Sequence, residues 1–201
     1  MRRLLINSLS ILFLFGITLL VFPPKASAHC DTLDGPVINA AKKAMAKDNA
    51  NYILIWVKSE HEDEIRKALK KALARRKKAK SKQEKDNAEM ELFETLVKIH
   101  REGEGAKYEG IKPAGSVEAE IALADRAVES GNLHDVLKHI LNPKNKEIIQ
   151  HLFLKLQEKS HYNEDDVISG REFINTYVIF IHAVEKAIKG EMLQEDDLHE
   201  H

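Results

Sequence analysis

The sequence predicts an all-α protein, an antiparallel helical bundle of about four main helices with shorter helices between them. Apolar residues recur at helical spacing through most of the chain after residue 28, and the alternation that is typical of strands is scarce. Glycine and proline separate the periodic segments, and short links between helices favour antiparallel packing. A chain of 201 residues is long enough to enclose one substantial core.

Residues 1–28 have the layout of a secretory signal peptide. Two arginines precede an apolar run over 4–22, and the segment ends in an Ala-Ser-Ala site of the kind that signal peptidase cleaves. The run is also long enough for an uncleaved membrane anchor, but the small-residue site favours cleavage after Ala28. We therefore expect a secreted or periplasmic mature chain that begins at His29 and has no stable membrane span.

The remaining elements follow one another as helices in a single domain over 29–189. Pro36 and Pro143 suit the first turn of a helix, and Gly131 is typical of a helix end. A glycine-rich loop over 103–115 is the clearest break, and an acidic tail over 190–201 is expected to be disordered. The predicted helices cover 36–47, 51 to about 80, 81 or 86 to about 102, 116–130, 132–141, 143–160 and 164–189.

Composition narrows the classes of function. Without residues 1–28 the chain has 28 basic and 32 acidic residues, because that segment contributes three of the 31 basic residues and no acidic one. This mild acidity, and the lack of a basic patch with interleaved aromatics, argue against nucleic-acid binding. The strongest basic run, 75–82, is predicted to be a solvated helix face.

The chain has one cysteine, so it cannot form an internal disulfide. A single thiol in a secreted protein pairs with another molecule, binds a metal or acts as a reactive group. Cleavage after Ala28 would place the free amine and imidazole of His29 beside the Cys30 thiolate, which are nitrogen and sulfur donors for nickel, copper, iron or zinc. Asp31 and Asp34 add oxygen donors. The alternative is that His-Cys is an accident of the cleavage site, although an exposed thiol there would be prone to oxidation.

Two further pairs of side chains combine a histidine with a carboxylate on one helix face. His100 lies on an apolar stripe with Glu104 four residues on, and His182 lies on another with Glu185 three residues on. Metal sites in helical bundles are built from inward histidine and glutamate pairs of this kind. The alternative is that each histidine is a core residue hydrogen-bonded to its neighbour. If the N-terminus folds back, we expect these four residues to ligate the metal or to surround its ligands.

Three segments carry a family resemblance: HCDTLDGPV at 29–37, FETLVKIHREGEGA at 93–106 and SGREF at 169–173. They resemble an uncharacterised family of secreted bacterial proteins, a domain of unknown function, whose mature chains open HCDxxDGPV. The resemblance spans most of the chain after residue 28. It implies membership of that family and no particular activity.

The opening is also similar to that of nickel superoxide dismutase. That enzyme is a four-helix bundle whose mature chain starts His-Cys-Asp-x-x-Cys-Gly, and it holds nickel by its terminal amine, an imidazole, a backbone amide and two thiolates. His29, Cys30, Asp31 and Gly35 match this opening, but Asp34 stands in the place of the second cysteine. The resemblance therefore implies a metal-binding terminus on a helical bundle more than it implies dismutation, and Asp34 points to a different metal.

Two hypotheses of function follow. The first is an exported helical-bundle protein that binds a transition metal through its N-terminal His-Cys and, if it is an enzyme, is an oxidoreductase acting on a small oxygen species. The alternative is a non-catalytic binding or stress protein of the cell envelope that uses Cys30 for intermolecular pairing. A homo-oligomer is compatible with either hypothesis.

Overall fold

The predicted fold class is confirmed by a computed structural model, which describes residues 28–198 as an all-α helical bundle. The predicted signal peptide, apart from Ala28, and residues 199–201 lie outside this range. The described residues contain no strand, and a single β-bridge joins Thr32 to Lys112. None of their helices is both long enough and apolar enough to span a membrane. The α-helices are α1 (Pro36–Lys47), α2 (Asn51–Leu54), α3 (Glu62–Lys78), α4 (Lys82–Gly103), α5 (Ala119–Ser130), α6 (His134–His139), α7 (Pro143–Lys159) and α8 (Val167–Ile188).

Local sequence accounts for most helix ends. α1 begins at Pro36, as predicted, because proline has a backbone dihedral suited to the first turn. The Ser81 hydroxyl caps α4 by accepting a hydrogen bond from the backbone N–H of Glu84, and the Asn142 side chain caps α7 in the same way. Gly131 ends α5 at a φ of 67°, a left-handed conformation that favours glycine.

The core lies between two packed groups of helices. α3 packs along α4, and both α5 and α7 pack along α8. Because only residues 79–81 link α3 to α4, the two helices run antiparallel as a hairpin. Ile65, Leu96 and Phe180 are among the large side chains that are fully buried. Their burial supplies the main favourable term of folding.

The predicted helix from 51 to about 80 is wrong in one respect, because the chain leaves the helical path between α2 and α3. Two backbone carbonyls at this break have distant partners. His100 Nδ1 lies 2.9 Å from the Trp56 carbonyl oxygen, and Arg171 Nε donates to the Val57 carbonyl oxygen at 2.8 Å. These partners satisfy carbonyls that an uninterrupted helix would use internally, so tertiary contacts override the local helical preference.

Residues 190–198 also differ from the predicted disordered tail, because they lie against the bundle. Leu193 is 2% exposed, its backbone N–H donates to Asn145 Oδ1 at 3.2 Å, and Asn145 Nδ2 donates to the Glu191 carbonyl at 2.8 Å. Lys186 on α8 forms an ion pair with Asp197. A buried leucine and a buried asparagine together hold this segment in place.

Candidate functional site

The segment from His29 to Thr32 lies inside the bundle. Ala28–Asp31 forms a single 3-10 turn, and His29, Cys30, Asp31 and Thr32 are all at most 5% exposed. The His29 carbonyl oxygen closes the turn by accepting hydrogen bonds from the Thr32 backbone N–H at 3.3 Å and the Thr32 hydroxyl at 3.1 Å. Burial of four consecutive residues, three with polar side chains and one with a thiol, is unusual and needs specific partners.

Gly35 makes the turn sterically feasible. Its backbone N–H donates to the Thr32 carbonyl at 2.9 Å. A Cβ atom at Gly35 would lie 2.1 Å from the His29 carbonyl oxygen and 2.9 Å from Thr32 Oγ1, both closer than van der Waals contact allows. The backbone of Gly35, at φ −72° and ψ 166°, is open to any residue. Close packing against His29 therefore explains the glycine.

The glycine-rich loop after α4 clamps this segment from outside. The Lys112 backbone N–H donates to the Asp31 carbonyl at 2.8 Å, and the Leu33 backbone N–H donates to the Lys112 carbonyl at 3.1 Å. Further along, the Gly115 backbone N–H donates to the Asp34 carboxylate at 2.8 Å. This bond holds the pKa of exposed Asp34 below its usual value, because it favours the charged carboxylate.

The ring of His29 is oriented by a tyrosine and a carboxylate. The Tyr177 hydroxyl donates its one hydrogen to Asp125 Oδ1 at 2.5 Å, and it lies 2.9 Å from His29 Nε2, so it accepts the hydrogen of that nitrogen. Asp125 Oδ2 lies 3.4 Å from the same nitrogen. In a neutral ring this leaves the lone pair on Nδ1, which faces Cys30 Sγ at 3.7 Å. Metal-bound histidines are held by their second nitrogen in this manner.

His29 and Cys30 line a small cavity between the end of α4 and the middle of α8. Its volume of about 10 Å³ is on the order of what one water molecule needs. Two of the predicted site residues on the helices, Glu104 and His182, lie on its wall. The lining residues are His29, Cys30, Arg101, Glu104, Val178, Ile181 and His182.

The surroundings of Cys30 disfavour a bare thiolate. Burial raises the pKa of this thiol well above its ordinary value, and the carboxylates of Glu104 and Asp31 raise it further, while Arg101 opposes them. Asp31 is itself buried, which raises its pKa although the Arg101 guanidinium lies 3.5 Å away. A free nucleophilic cysteine needs the opposite environment, whereas a bound cation would offset this negative charge.

His100 is also oriented by its second nitrogen. Since the Trp56 carbonyl only accepts, His100 Nδ1 donates to it, and the neutral ring then presents a lone pair on Nε2. Among residues 28–198 that buried nitrogen has no hydrogen-bond partner, although Glu104 Oε1 lies 3.3 Å away. Two acceptor atoms facing each other require a proton on the ring or a cation nearby. Glu104 Oε2 is bound by Arg101 at 3.1 Å.

The other predicted site residues lie at the edge of this arrangement. His182 is about one-third exposed, and its Nδ1 lies 3.3 Å from Glu185 Oε2. Glu185 also binds Lys189 at 2.6 Å, so it belongs to a surface ion-pair network rather than to the cavity wall. Asp34 is exposed and engaged by Gly115, and it does not line the cavity either.

Within residues 28–198, no three side chains of histidine, cysteine, aspartate or glutamate are grouped as a ready metal site. Such a group counts side chains alone, although main-chain nitrogen donors can also bind a metal. In the predicted mature chain the amine of His29 and the amide of Cys30 are such donors. The predicted coordination therefore depends on cleavage as much as on the fold.

Sequence reasoning missed three polar residues of the site: Tyr177, Asp125 and Arg101. Each occupies a helical position that otherwise carries apolar core residues. Asp125 follows Ile121 by four positions, and Arg101 follows Val97 by four, and both of these apolar residues are buried. A charged residue on the apolar stripe of a helix could have indicated these residues, because a buried charge needs a specific partner.

Fold and site together define an all-α bundle that encloses the segment His29-Cys30. Residues 34–183 match the model of a family of unknown function, DUF6448, and the chain belongs to that family. This confirms the predicted membership of an uncharacterised family. The match begins after His29, Cys30 and Asp31, so the opening motif and export stay predictions. Comparisons with curated proteins and with solved structures give no match.

Proposed function

We propose that this chain is exported, cleaved after Ala28, and binds a transition metal ion through its new N-terminus. The ligands are the amine and ring Nδ1 of His29 and the thiolate of Cys30. A redox-active ion held there supplies one-electron chemistry on a small oxygen species. The chain's own residues orient the imidazole, keep bulk water from the thiol and limit access to small molecules.

The observation that carries the proposal is the convergence of His29 Nδ1 and Cys30 Sγ, 3.7 Å apart inside the bundle. Metal–nitrogen bonds of about 2.1 Å and metal–sulfur bonds of about 2.3 Å at a tetrahedral angle put the two donor atoms roughly 3.6 Å apart. The separation therefore suits one shared ion. Tyr177 and Asp125 hold the opposite nitrogen, so the lone pair on Nδ1 is directed at the thiol.

Further donors lie close to this pair. Glu104 and His182 share the cavity wall with His29 and Cys30. The lone pair of buried His100 Nε2 faces Glu104 Oε1 at 3.3 Å, and either a proton on the ring or a bound cation would reconcile these two acceptors. These three residues support the ion from the helices, as additional ligands or as neighbours of the ligands. Asp31 adds a buried carboxylate to the same side of the bundle.

The alternative function, intermolecular pairing through Cys30, requires a thiol that a second molecule can reach. Cys30 is only 5% exposed, and the loop that carries Lys112 covers the adjoining residues. Disulfide exchange depends on access and on thiolate character, and burial reduces both. We therefore favour the metal-binding proposal.

The test is the metal content of protein purified with His29 as its first residue. We expect about one ion per chain for this protein and strong loss for Cys30→Ser, because the substitution removes the only thiol of the chain. One alanine inserted before His29 leaves every side chain in place but moves the amine away from the ring and thiolate. This insertion should also weaken binding.

The matched control is His139→Ala, which removes an exposed histidine remote in sequence from the site. It should leave the metal content unchanged. A native-terminus protein that binds no stoichiometric ion would refute the proposal, as would equal binding by the Cys30→Ser variant. Free-thiol titration of the same samples separates metal binding from intermolecular disulfide formation.

A further inference from the structure

The hairpin of α3 and α4 concentrates positive charge in an acidic protein. Residues 70–85 contain nine lysines and arginines and one acidic residue, whereas the whole chain has a formal net charge of −1. The remaining residues therefore carry 22 basic and 31 acidic side chains. Such segregation produces a strong local field at one end of the molecule.

This end of the hairpin projects beyond the core. The last fully buried residue of α3 is Ala72, and the first of α4 is Ala88. From Ala72 to the end of α3 at Lys78 the helix extends about 9 Å, at 1.5 Å per residue. We call the segment 73–87 the hairpin tip. Its lysines and arginines are all exposed, so they can approach a flat surface together.

Intramolecular ion pairs neutralise part of the tip, including Lys82, which binds Asp86 at 2.6 Å. Glu91 binds Lys71 and Arg75, and Glu89 binds Arg76 at 3.1 Å. In the part of the chain that the structure describes, several basic residues take no part in the ion pairs. They are Lys70, Lys77, Lys78, Lys80 and Lys85.

The chemistry of the tip favours lipid headgroups over nucleic acid. Of the nine basic residues over 70–85, seven are lysines. A lysine acts as a mobile point charge, whereas an arginine can bind a base through two hydrogen bonds. No aromatic residue occurs over 57–92, so bases have no stacking partner there. The apolar run over 4–22 also directs the chain to a membrane, whether it is a signal or an anchor.

We infer that the hairpin tip docks this protein on membranes that display anionic phospholipid headgroups. The acidic remainder of the molecule is repelled by the same surface, so the tip sets the orientation. α4 has 22 residues, a length of about 33 Å at 1.5 Å per residue. The site at its far end, beside Glu104, then lies on the side of the molecule away from the bilayer.

The test is sedimentation of protein that begins at His29 with vesicles of phosphatidylcholine, with and without phosphatidylglycerol. The tip variant carries Lys77→Glu, Lys78→Glu and Lys80→Glu. Each cation near an anionic surface contributes about fivefold to partitioning, so we expect the variant to lose roughly 100-fold in binding to the anionic vesicles. Every sample begins at His29, so the apolar run over 4–22 makes no contribution to vesicle binding.

The matched control reverses the same number of charges elsewhere, with Lys47→Glu, Lys144→Glu and Lys155→Glu. It should keep most of the anionic-vesicle binding, and circular dichroism should show equal helix content in both variants. An equal loss in the control would overturn the proposal, since net charge alone would then explain binding. Equal wild-type binding to both vesicle types, or a preference for duplex DNA over anionic vesicles, would overturn it as well.

Discussion

Replacement of Gly35 by alanine tests whether the geometry of the N-terminal turn matters, without removing any donor atom. The added Cβ would lie 2.1 Å from the His29 carbonyl oxygen and 2.9 Å from Thr32 Oγ1. The backbone at Gly35 needs no glycine, because its φ of −72° is ordinary. The whole effect of the substitution is therefore a displacement of the turn that carries His29 and Cys30.

The size of the effect follows from the overlap. A carbonyl oxygen must move by about 1 Å to restore an ordinary contact, and overpacking of this kind costs typically about 1–3 kcal/mol of folding free energy. The same movement shifts His29 Nδ1 relative to Cys30 Sγ. Disturbance of the residues that position metal ligands typically lowers affinity by about 10- to 100-fold. We expect a loss of metal affinity in that range for Gly35→Ala.

The assay is a competition titration against a chromogenic chelator, together with thermal unfolding of metal-free and metal-loaded protein. The matched control is Gly103→Ala at the end of α4, where a Cβ would meet only the Lys58 side chain at 3.8 Å. That change should keep metal affinity and add a few tenths of a kcal/mol to helix stability, up to about 1 kcal/mol. If Gly35→Ala bound metal as tightly as the wild type, the proposed role of the turn would be wrong.

Three further predictions concern other parts of the molecule. Tyr177→Phe should lower metal affinity about tenfold in the same titration, because the His29 ring loses its anchor but the core keeps its aromatic ring. Leu193→Ala should lower the free energy of unfolding in urea by about 2–3 kcal/mol, since the side chain is buried; no change would mean that the tail is not packed. Arg171 donates to Glu62 at 2.7 Å and lowers the pKa of that carboxyl. The ion pair therefore stabilises the fold at pH values above the unfolded pKa of about 4.3. This contribution is lost as the pH falls through the lowered pKa of the folded state. The stability difference between wild type and Glu62→Gln, roughly 0.5–1 kcal/mol at about pH 6, should therefore shrink towards about pH 3, and a constant difference would contradict this.

The helices were predictable because their signals are local. The proline at the start of α1, the glycine at the end of α5 and the apolar spacing of α4 each act within a few residues. The break after α2 was not predictable. It depends on His100 and Arg171 reaching the carbonyls of Trp56 and Val57, more than 40 positions away in each case. Hydrophobic periodicity carries no information about such partners.

The candidate site likewise has a part that the sequence predicts and a part that it does not. His29 and Cys30 were recognisable because they are adjacent in sequence and follow a predicted cleavage site. The orientation of the His29 ring depends on Tyr177, 148 positions away, and on Asp125, 96 positions away. In the sequence alone, Tyr177 resembles a core residue and Asp125 a surface residue. Asp34 was expected beside the ligands, yet its carboxylate is directed to the backbone of the covering loop. The direction of a side chain is set by tertiary contacts that spacing alone does not reveal.

The central claim is that one ion is held by the Cys30 sulfur and the His29 nitrogen donors. Metal-edge X-ray absorption on protein with the native terminus measures this most directly, because sulfur and nitrogen ligands differ in bond length by about 0.2 Å. We predict one sulfur per metal, nitrogen donors in the same shell, and loss of the sulfur contribution in Cys30→Ser. A first shell of nitrogen and oxygen alone, unchanged in that variant, would contradict the account.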